Sequence, residues 1–368
     1  MTSATWGMPS STLLRVVRSV AAVVVLGRLA RGRKRHPPLA PPAQRQPTSV
    51  TVVIPARDEA DRIGPCLAAL TTDPDVFEVV VVDDCSTDAT AHVAAAHGAR
   101  VIPGTEPDEG WVGKPWALQQ GLEAASGEVV VSLDADTRPL PGLIRALVSA
   151  LGAGDGLVTA GARFICDTPG ERLLHPAMLA TLVYRFGPSD ADGRPPAPSR
   201  VVSNGQCTAV RREQLLAAGG YRAAAGHMTD DAALARALAR RGWRIAFRDG
   251  SDLLEVDMHD SARDVWREWG RSIALPDVTS PGWRLADVAV VWLTLGLPPL
   301  RLVTGRADRL DLVLLAVRAA MLGPLARAYR RRGIPYWASP VADPLAALAL
   351  TRSALRPRRS WRGRTYVR

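Results

Sequence analysis

Val129-Val130-Val131-Ser132-Leu133-Asp134-Ala135-Asp136 is a mainly β-branched apolar run that ends in two carboxylates one residue apart. Its first five residues read as a strand buried on both faces, the kind found in parallel sheets covered by helices. Side chains at i and i+2 of an extended chain share a side, so Asp134 and Asp136 can hold one divalent cation between them. Hard cations such as Mg²⁺ and Mn²⁺ take carboxylate oxygens and bridge them to phosphates. A bare Asp-x-Asp triplet is more often a turn, so its neighbours in the chain must decide.

Upstream, strand and helix patterns alternate. Val50–Ile54 and Val79–Val82 are apolar strands, and Arg100–Ile102 is a short third one. Ala60–Leu70, Ala89–His97 and Trp116–Ala125 carry helical periodicity between them. This predicts an α/β fold with a mostly parallel sheet and helices on both faces. Ligands of such sheets gather at the carboxyl ends of the strands. The motifs found here lie at those ends or in loops.

The outer segments differ. Leu13–Leu29 is apolar but interrupted by Arg15, Arg18 and Arg28, which reads as an uncleaved anchor or interfacial helix. His36–Pro47 is proline-rich and reads as a linker. Past about Gly282, the stretches Leu285–Val303, Leu310–Leu325 and Tyr336–Leu355 are apolar and separated by basic loops. The first is long enough to span a bilayer; the others carry Arg318, or Pro340, Asp343 and Pro344. With the Arg330–Arg332 loop inside by the positive-inside rule, a third span would strand the basic tail outside, so one stretch is expected to be re-entrant or interfacial.

The net charge of +10 collects beside these apolar runs, at Arg28–Arg35, Arg330–Arg332 and Arg356–Arg364. That placement suits anionic lipid headgroups, and no nucleic-acid module accompanies it. Cys66, Cys85, Cys166 and Cys207 show neither a metal spacing nor a disulfide pattern and read as reduced thiols. Lys34 and Lys114 are the only lysines among 46 basic residues. In a chain that uses arginine by default, Lys114 in Gly110-Trp111-Val112-Gly113-Lys114-Pro115-Trp116 suggests a need for a compact ammonium, in contact with a nucleotide's base or phosphates.

The first strand runs into Pro55-Ala56-Arg57-Asp58-Glu59, and the second into Asp83-Asp84-Cys85-Ser86-Thr87-Asp88. Carboxylates at such ends can accept hydrogen bonds from a nucleobase or ribose, or cap the next helix, as Asp88 is expected to do. Asp230 and Asp231 open a helical stretch, Ala232–Arg240, as helix caps or as a general base. Asn204, the single asparagine, either positions sugar or acceptor or makes a Ser-Asn-Gly turn. His227 and His259 have no partner at a metal-ligand spacing and read as structural.

The ordered set Val-Ile-Pro-Ala-Arg-Asp-Glu, Val-Asp-Asp-Cys-Ser-Thr-Asp, Gly-Lys-Pro-Trp-Ala, Leu-Asp-Ala-Asp, Ser-Asn-Gly-Gln, Gly-Gly-Tyr and Thr-Asp-Asp resembles the family 2 glycosyltransferases of GT-A type, from about Thr48 to Arg271. With its apolar tail and closing Trp361-Arg362-Gly363-Arg364-Thr365-Tyr366, the chain is most similar to the membrane-associated branch that glycosylates lipids, including carotenoid- and hopanoid-linked enzymes and ceramide glucosyltransferases. The resemblance implies a GT-A domain at 49–282, after an anchor at 1–30 and a linker at 31–48 and before membrane-associated helices at 283–368. It implies that Pro55, Ala56, Arg57, Glu59 and Asp84 line the nucleotide. Asp134 would contact the nucleotide, and Asp136 the Mg²⁺ or Mn²⁺ that bridges the diphosphate. Asp231 would be the base, although the usual Glu-Asp is Asp230-Asp231 here, which leaves open which aspartate serves. The Gln-x-x-Arg-Trp of processive relatives is missing. Trp266-Arg267-Glu268-Trp269-Gly270-Arg271 occupies its region, so Trp269 and Arg271 either meet the diphosphate or form a helix face on the membrane.

The implied activity is inverting transfer from a nucleotide-diphosphate sugar to a lipid-like acceptor, at the cell membrane with the catalytic domain in the cytoplasm. A polysaccharide synthase and a non-catalytic membrane binding protein of the same fold are the alternatives.

Overall fold

The computed structural model describes residues 10–152, 154, 156–356, 360–361 and 364–365. Arg358, Arg359, Arg362, Gly363 and Tyr366, named above in the basic tail and closing motif, lie outside the described residues.

The seven strands of the main sheet are β1 (Val50–Ala56), β2 (Glu78–Asp83), β3 (Arg100–Pro103), β4 (Val129–Leu133), β6 (Leu157–Gly161), β8 (Cys207–Arg211) and β9 (Ile245–Asp249). They lie in the order β3-β2-β1-β4-β8-β6-β9, all parallel except β8, which runs antiparallel to β4 and β6. A smaller sheet joins β5 (Thr137–Pro139), β10 (Leu254–Val256) and β7 (Arg163–Phe164) in the order β5-β10-β7.

Alternation along the strands sorts their side chains into two cores. Val50, Val52, Ile54, Val129, Val131 and Leu133 pack on one face with α2 (Ile63–Leu70), α3 (Thr90–Ala96) and α5 (Leu143–Gly152). Val53, Val80, Val82 and Val130 pack on the other with α4 (Gly113–Ala124), α7 (Arg212–Ala217) and α8 (Asp230–Arg240). The order reverses direction beside β1: β2 and β3 lie to one side and β4 to the other. Such a switch point opens a crevice at the carboxyl ends of β1 and β4. Pro55-Ala56-Arg57 and the Asp134–Asp136 turn therefore face each other across it.

The outer segments pack on the rest of the fold. A third core joins α1 (Ser10–Ala30), α6 (Pro169–Phe186), the helix Pro281–Val303 and the helix Asp343–Leu355. The proline-rich segment is docked on the domain: Leu39 is buried and donates its N–H to the Asp249 carbonyl, and Arg35 pairs with Asp190. Several of the charges that interrupt the apolar stretches are paired with one another. Arg18, 1% exposed, bonds to Asp308 and Asp311, which Arg301 also holds. Arg318 forks onto Asp343, and Arg185 and Arg200 share Asp287.

Pro281–Val303 and Arg309–Leu325 pack together across the short Thr304–Asp308 connection as a helical hairpin. Both its ends return to the rest of the fold. Asp287 is bound by Arg185 and Arg200, while Arg327 pairs with Asp249 and Asp252, Arg330 with Glu255, and Arg331 with Asp167. The basic loop expected to face lipid is thus turned onto acidic residues of the domain. The third apolar stretch breaks into Gly333–Trp337, Ser339–Ala342 and Asp343–Leu355. The last of these buries Ala346, Ala347, Ala349 and Leu350 against its neighbours.

Candidate active site

The two loops that follow β1 and β2 interlock. Asp58 and Cys85 take left-handed backbone (φ 52° and 54°), which is costly outside glycine and is met at sites where surrounding contacts impose it. Here the Asp58 N–H donates to the Ser86 hydroxyl, and the Asp58 carboxylate accepts from the Thr87 N–H and hydroxyl. The Glu59 N–H donates to the Thr90 hydroxyl, and the Arg57 guanidinium donates to the Asp84 carbonyl at 2.6 Å. Pro55, Ala56 and Asp84 are buried beneath this surface, and Arg57 and Glu59 are partly exposed on it. Asp88 braces the loops by accepting from the N–H groups of Ala60 and Thr90; the N-cap of the following helix is Ala89, not Asp88 as expected.

At the end of β4 the chain turns sharply. The Asp134 carbonyl accepts from both the N–H and the hydroxyl of Thr137, which frees the two carboxylates to face the crevice. Lys114 reaches in from the first turn of α4, and its Nζ lies 2.6 Å from Asp134 Oδ1. Asp136 Oδ1 is buried with no hydrogen-bond partner among the described residues. Burial, then the charges of Asp134 and Glu59, hold the Asp136 carboxyl above the usual carboxylate range, against Lys114 and Arg62. A bare buried oxygen beside a second carboxylate fits a hard divalent cation. Among the described residues no group of three or more His, Cys, Asp or Glu completes a cage, so Asp134 and Asp136 would hold the ion as an open pair.

Thr229, not an aspartate, precedes α8, and Asp230 and Asp231 form its first turn. Thr229 itself bonds to Asp277 through its N–H and hydroxyl. Asp231 accepts from the Gly205 N–H at 3.0 Å. Burial raises the Asp231 carboxyl, opposed by the N–H groups of Ala232 and Gly205 and by Lys114. Asp230 is more enclosed, 7% exposed, and lines a small cavity with Lys114, His227 and Met228. Burial raises its carboxyl too, with Lys114 opposing. For Lys114 burial disfavours the charge, but Asp134, Asp230 and Asp231 outweigh it and keep the ammonium protonated.

The two readings of Asn204 separate in the structure. Its side-chain amide donates to the Ala160 carbonyl and to Gln206, and its Oδ1 accepts from the Gln206 N–H. Its backbone is clasped by the Thr159 hydroxyl. Those bonds shape the loop that sets Gly205 against Asp231 and Lys114: a Cβ there would lie 3.2 Å from Asp231 Cβ and 3.4 Å from Lys114 Nζ. Gly205 was not singled out from sequence, although its place in Ser-Asn-Gly was the available signal. Trp269 ends a π-helical turn, Val265–Trp269, with its ring 4.4 Å from His175 and 6.3 Å from Phe164, while Arg271 lies 3.4 Å from Glu268. Trp269 thus packs under the small sheet and α6.

Known proteins resemble this chain in sequence and in shape. The family model described as Glycosyl transferase family 2 matches residues 51–216. A 4,4'-diaponeurosporenoate glycosyltransferase of Staphylococcus aureus is 27% identical over 253 residues, covering 67% of this chain and 66% of its own length. The chain thus spans slightly under two thirds of that relative. A mannosyltransferase of Pyrobaculum calidifontis, solved with GDP-Man and Mn²⁺, superposes with a TM-score of 0.54 at 22% identity, over 93% of this chain and 99% of that one. A share that large takes in the C-terminal helices as well as the sheet, and the shared fold is GT-A-like.

Proposed function

We propose, from the match of residues 51–216 to the family model described as Glycosyl transferase family 2, that the protein is an inverting glycosyltransferase that moves a sugar from a nucleotide-diphosphate donor to a lipid-like, carotenoid-related acceptor. The observation that carries this reading is the convergence of Asp134, Lys114 and Asp231 at the switch-point crevice. Arg57, Glu59 and Asp84 would receive the nucleotide in the interlocked loops. Asp134 and Asp136 would hold Mg²⁺ or Mn²⁺, which supplies Lewis-acid stabilisation of the departing diphosphate. Asp231, held by the Gly205 N–H at the open side of α8, takes the proton of an attacking acceptor hydroxyl. Asp230 sits deeper and balances the Lys114 charge. Transfer in one displacement inverts the anomeric centre. The staphylococcal relative's name motivates the carotenoid-related acceptor.

We further place the reaction at a membrane face, with the catalytic domain cytoplasmic. Leu13, Val16, Val20 and Val23 on α1, and Leu285, Leu300, Leu302 and Val303 on the hairpin, are exposed large apolar side chains on neighbouring helices. Patches of that extent mark membrane or protein contact. Pro281–Val303 is one helix long and apolar enough to cross a bilayer; its 23 residues extend about 34 Å. The hairpin leaves and rejoins the same domain, which keeps the domain on one side.

The test is a screen of nucleotide sugars with Mn²⁺ or Mg²⁺ and membrane lipid extract, followed by product analysis. Asp136→Ala should lose metal-dependent nucleotide binding, whereas Asp231→Asn should keep binding and lose transfer to hydroxyl acceptors. Wild-type turnover by Asp231→Asn sinks the assignment of the base.

A further inference from the structure

Lys114 occupies an awkward place for a cation. It lies in the first turn of α4, where the helix dipole opposes positive charge, and it is one of two lysines in an arginine-rich chain. Its ammonium is 2.6 Å from Asp134 Oδ1, whereas the neighbouring Asp136 Oδ1 has no hydrogen-bond partner among the described residues. One carboxylate of the pair is neutralised from within the protein, and the other keeps a buried oxygen without a hydrogen-bond partner among the described residues. A divalent cation that uses both must compete with Lys114 for Asp134.

We propose that Lys114 is a built-in competitor of the metal: it holds Asp134 against a lone divalent cation and yields it when metal and diphosphate arrive together. The inference rests on the reading that this crevice binds a nucleotide diphosphate with its metal. The flexible stem has somewhere to go, because Gly205 leaves room beside the Nζ and Asp230 and Asp231 lie within electrostatic reach. Once the donor supplies phosphate oxygens, the ammonium exchanges a carboxylate partner for a phosphate one, so its charge is never left bare. The consequence is positive coupling between metal and nucleotide: each binds weakly alone and tightly with the other. An arginine would be a poorer competitor, since its planar fork cannot swing as a point charge between partners.

The experiment measures Mn²⁺ binding by the full chain without nucleotide, from the electron paramagnetic resonance of free Mn²⁺, and then with UDP or GDP added. Lys114→Met should bind Mn²⁺ alone about tenfold more tightly than wild type; the tightening of Mn²⁺ by the nucleotide should shrink, and the tightening of the nucleotide by Mn²⁺ should shrink by the same factor, as linkage requires. Lys114→Gln serves if the methionine variant does not fold, as judged by its melting curve. Arg62→Met is the control for lost positive charge, since Arg62 lies near Asp136 without bonding Asp134. Unchanged or weaker Mn²⁺ binding in the Lys114 variants overturns the proposal, as does an equal gain in Arg62→Met. If wild type binds neither nucleotide with Mn²⁺, the donor reading fails, while the Mn²⁺-only comparison still decides whether Lys114 competes.

Discussion

Arg318 and Asp343 are each 1% exposed, and their pairing gives a stability test of the helical part. The guanidinium makes bonds of 2.9 and 3.1 Å to the two carboxylate oxygens, and a further one of 3.3 Å to Ser339 Oγ. Arg318→Met removes the cation but leaves Asp343 enclosed, which costs about 3–5 kcal/mol for a buried ion that loses its partner. At roughly 2 °C per kcal/mol for a chain of this length, melting should fall by about 6–10 °C. The double variant Arg318→Met/Asp343→Leu removes both desolvated charges and should recover most of that loss, because apolar replacement of a whole buried pair is close to neutral. Ser339 loses only a neutral contact, worth about 1 kcal/mol. The assay is thermal and denaturant unfolding in detergent, with nucleotide binding followed below the transition as a check that the crevice is intact. A loss under about 1 kcal/mol in the single variant, or a double variant no better than the single, would refute the view that this pair is shut away from water.

Three further outcomes follow from the same geometry. Gly205→Ala brings a Cβ to 3.2 Å from Asp231 Cβ, so the carboxylate must shift by a few tenths of an ångström; turnover should fall about three- to tenfold with melting nearly unchanged, and unaltered turnover would clear that contact. Lys114→Arg should weaken donor affinity in equilibrium titrations; unchanged affinity would end the argument from its rarity. His175 and His259 are held below the usual histidine range, His259 at about 4, in both cases chiefly by burial. Their stabilisation is therefore complete above about pH 6.5 and is lost as pH falls toward 4. His175→Phe should flatten that acid-side decline in melting temperature, at the cost of the Tyr329 hydroxyl's partner, which lies 2.9 Å from His175 Nδ1.

The first four strands were legible as short, mainly apolar runs, and β4 has the expected limits, Val129–Leu133, whereas β5 to β10 are too short or too mixed to stand out. Helix starts were less so. Ile63, not Ala60, opens α2, because side chains of Ser86, Asp88 and Thr90 tie up the N–H groups of residues 58–60. The reversed β8 could not be read from Cys207–Arg211, since alternation says nothing of direction. In the crevice, the residue types were visible but their partners were not: Lys114 and Asp134 meet because α4 packs on β1 and β4 pairs with β1. The interrupting charges misled most, since Arg18 looks like a defect in an anchor until Asp308 and Asp311 fold back to it.

That long-range clasp sets a timetable for biogenesis. Arg18 leaves the ribosome early, yet its partner Asp308 is 290 residues downstream. At translation rates of about 5–20 residues per second, α1 waits roughly 15–60 s with its guanidinium unmatched. During that interval the unpaired cation inside an apolar helix opposes its burial. Only when the hairpin emerges can α1 close its contact with Asp308 and Asp311.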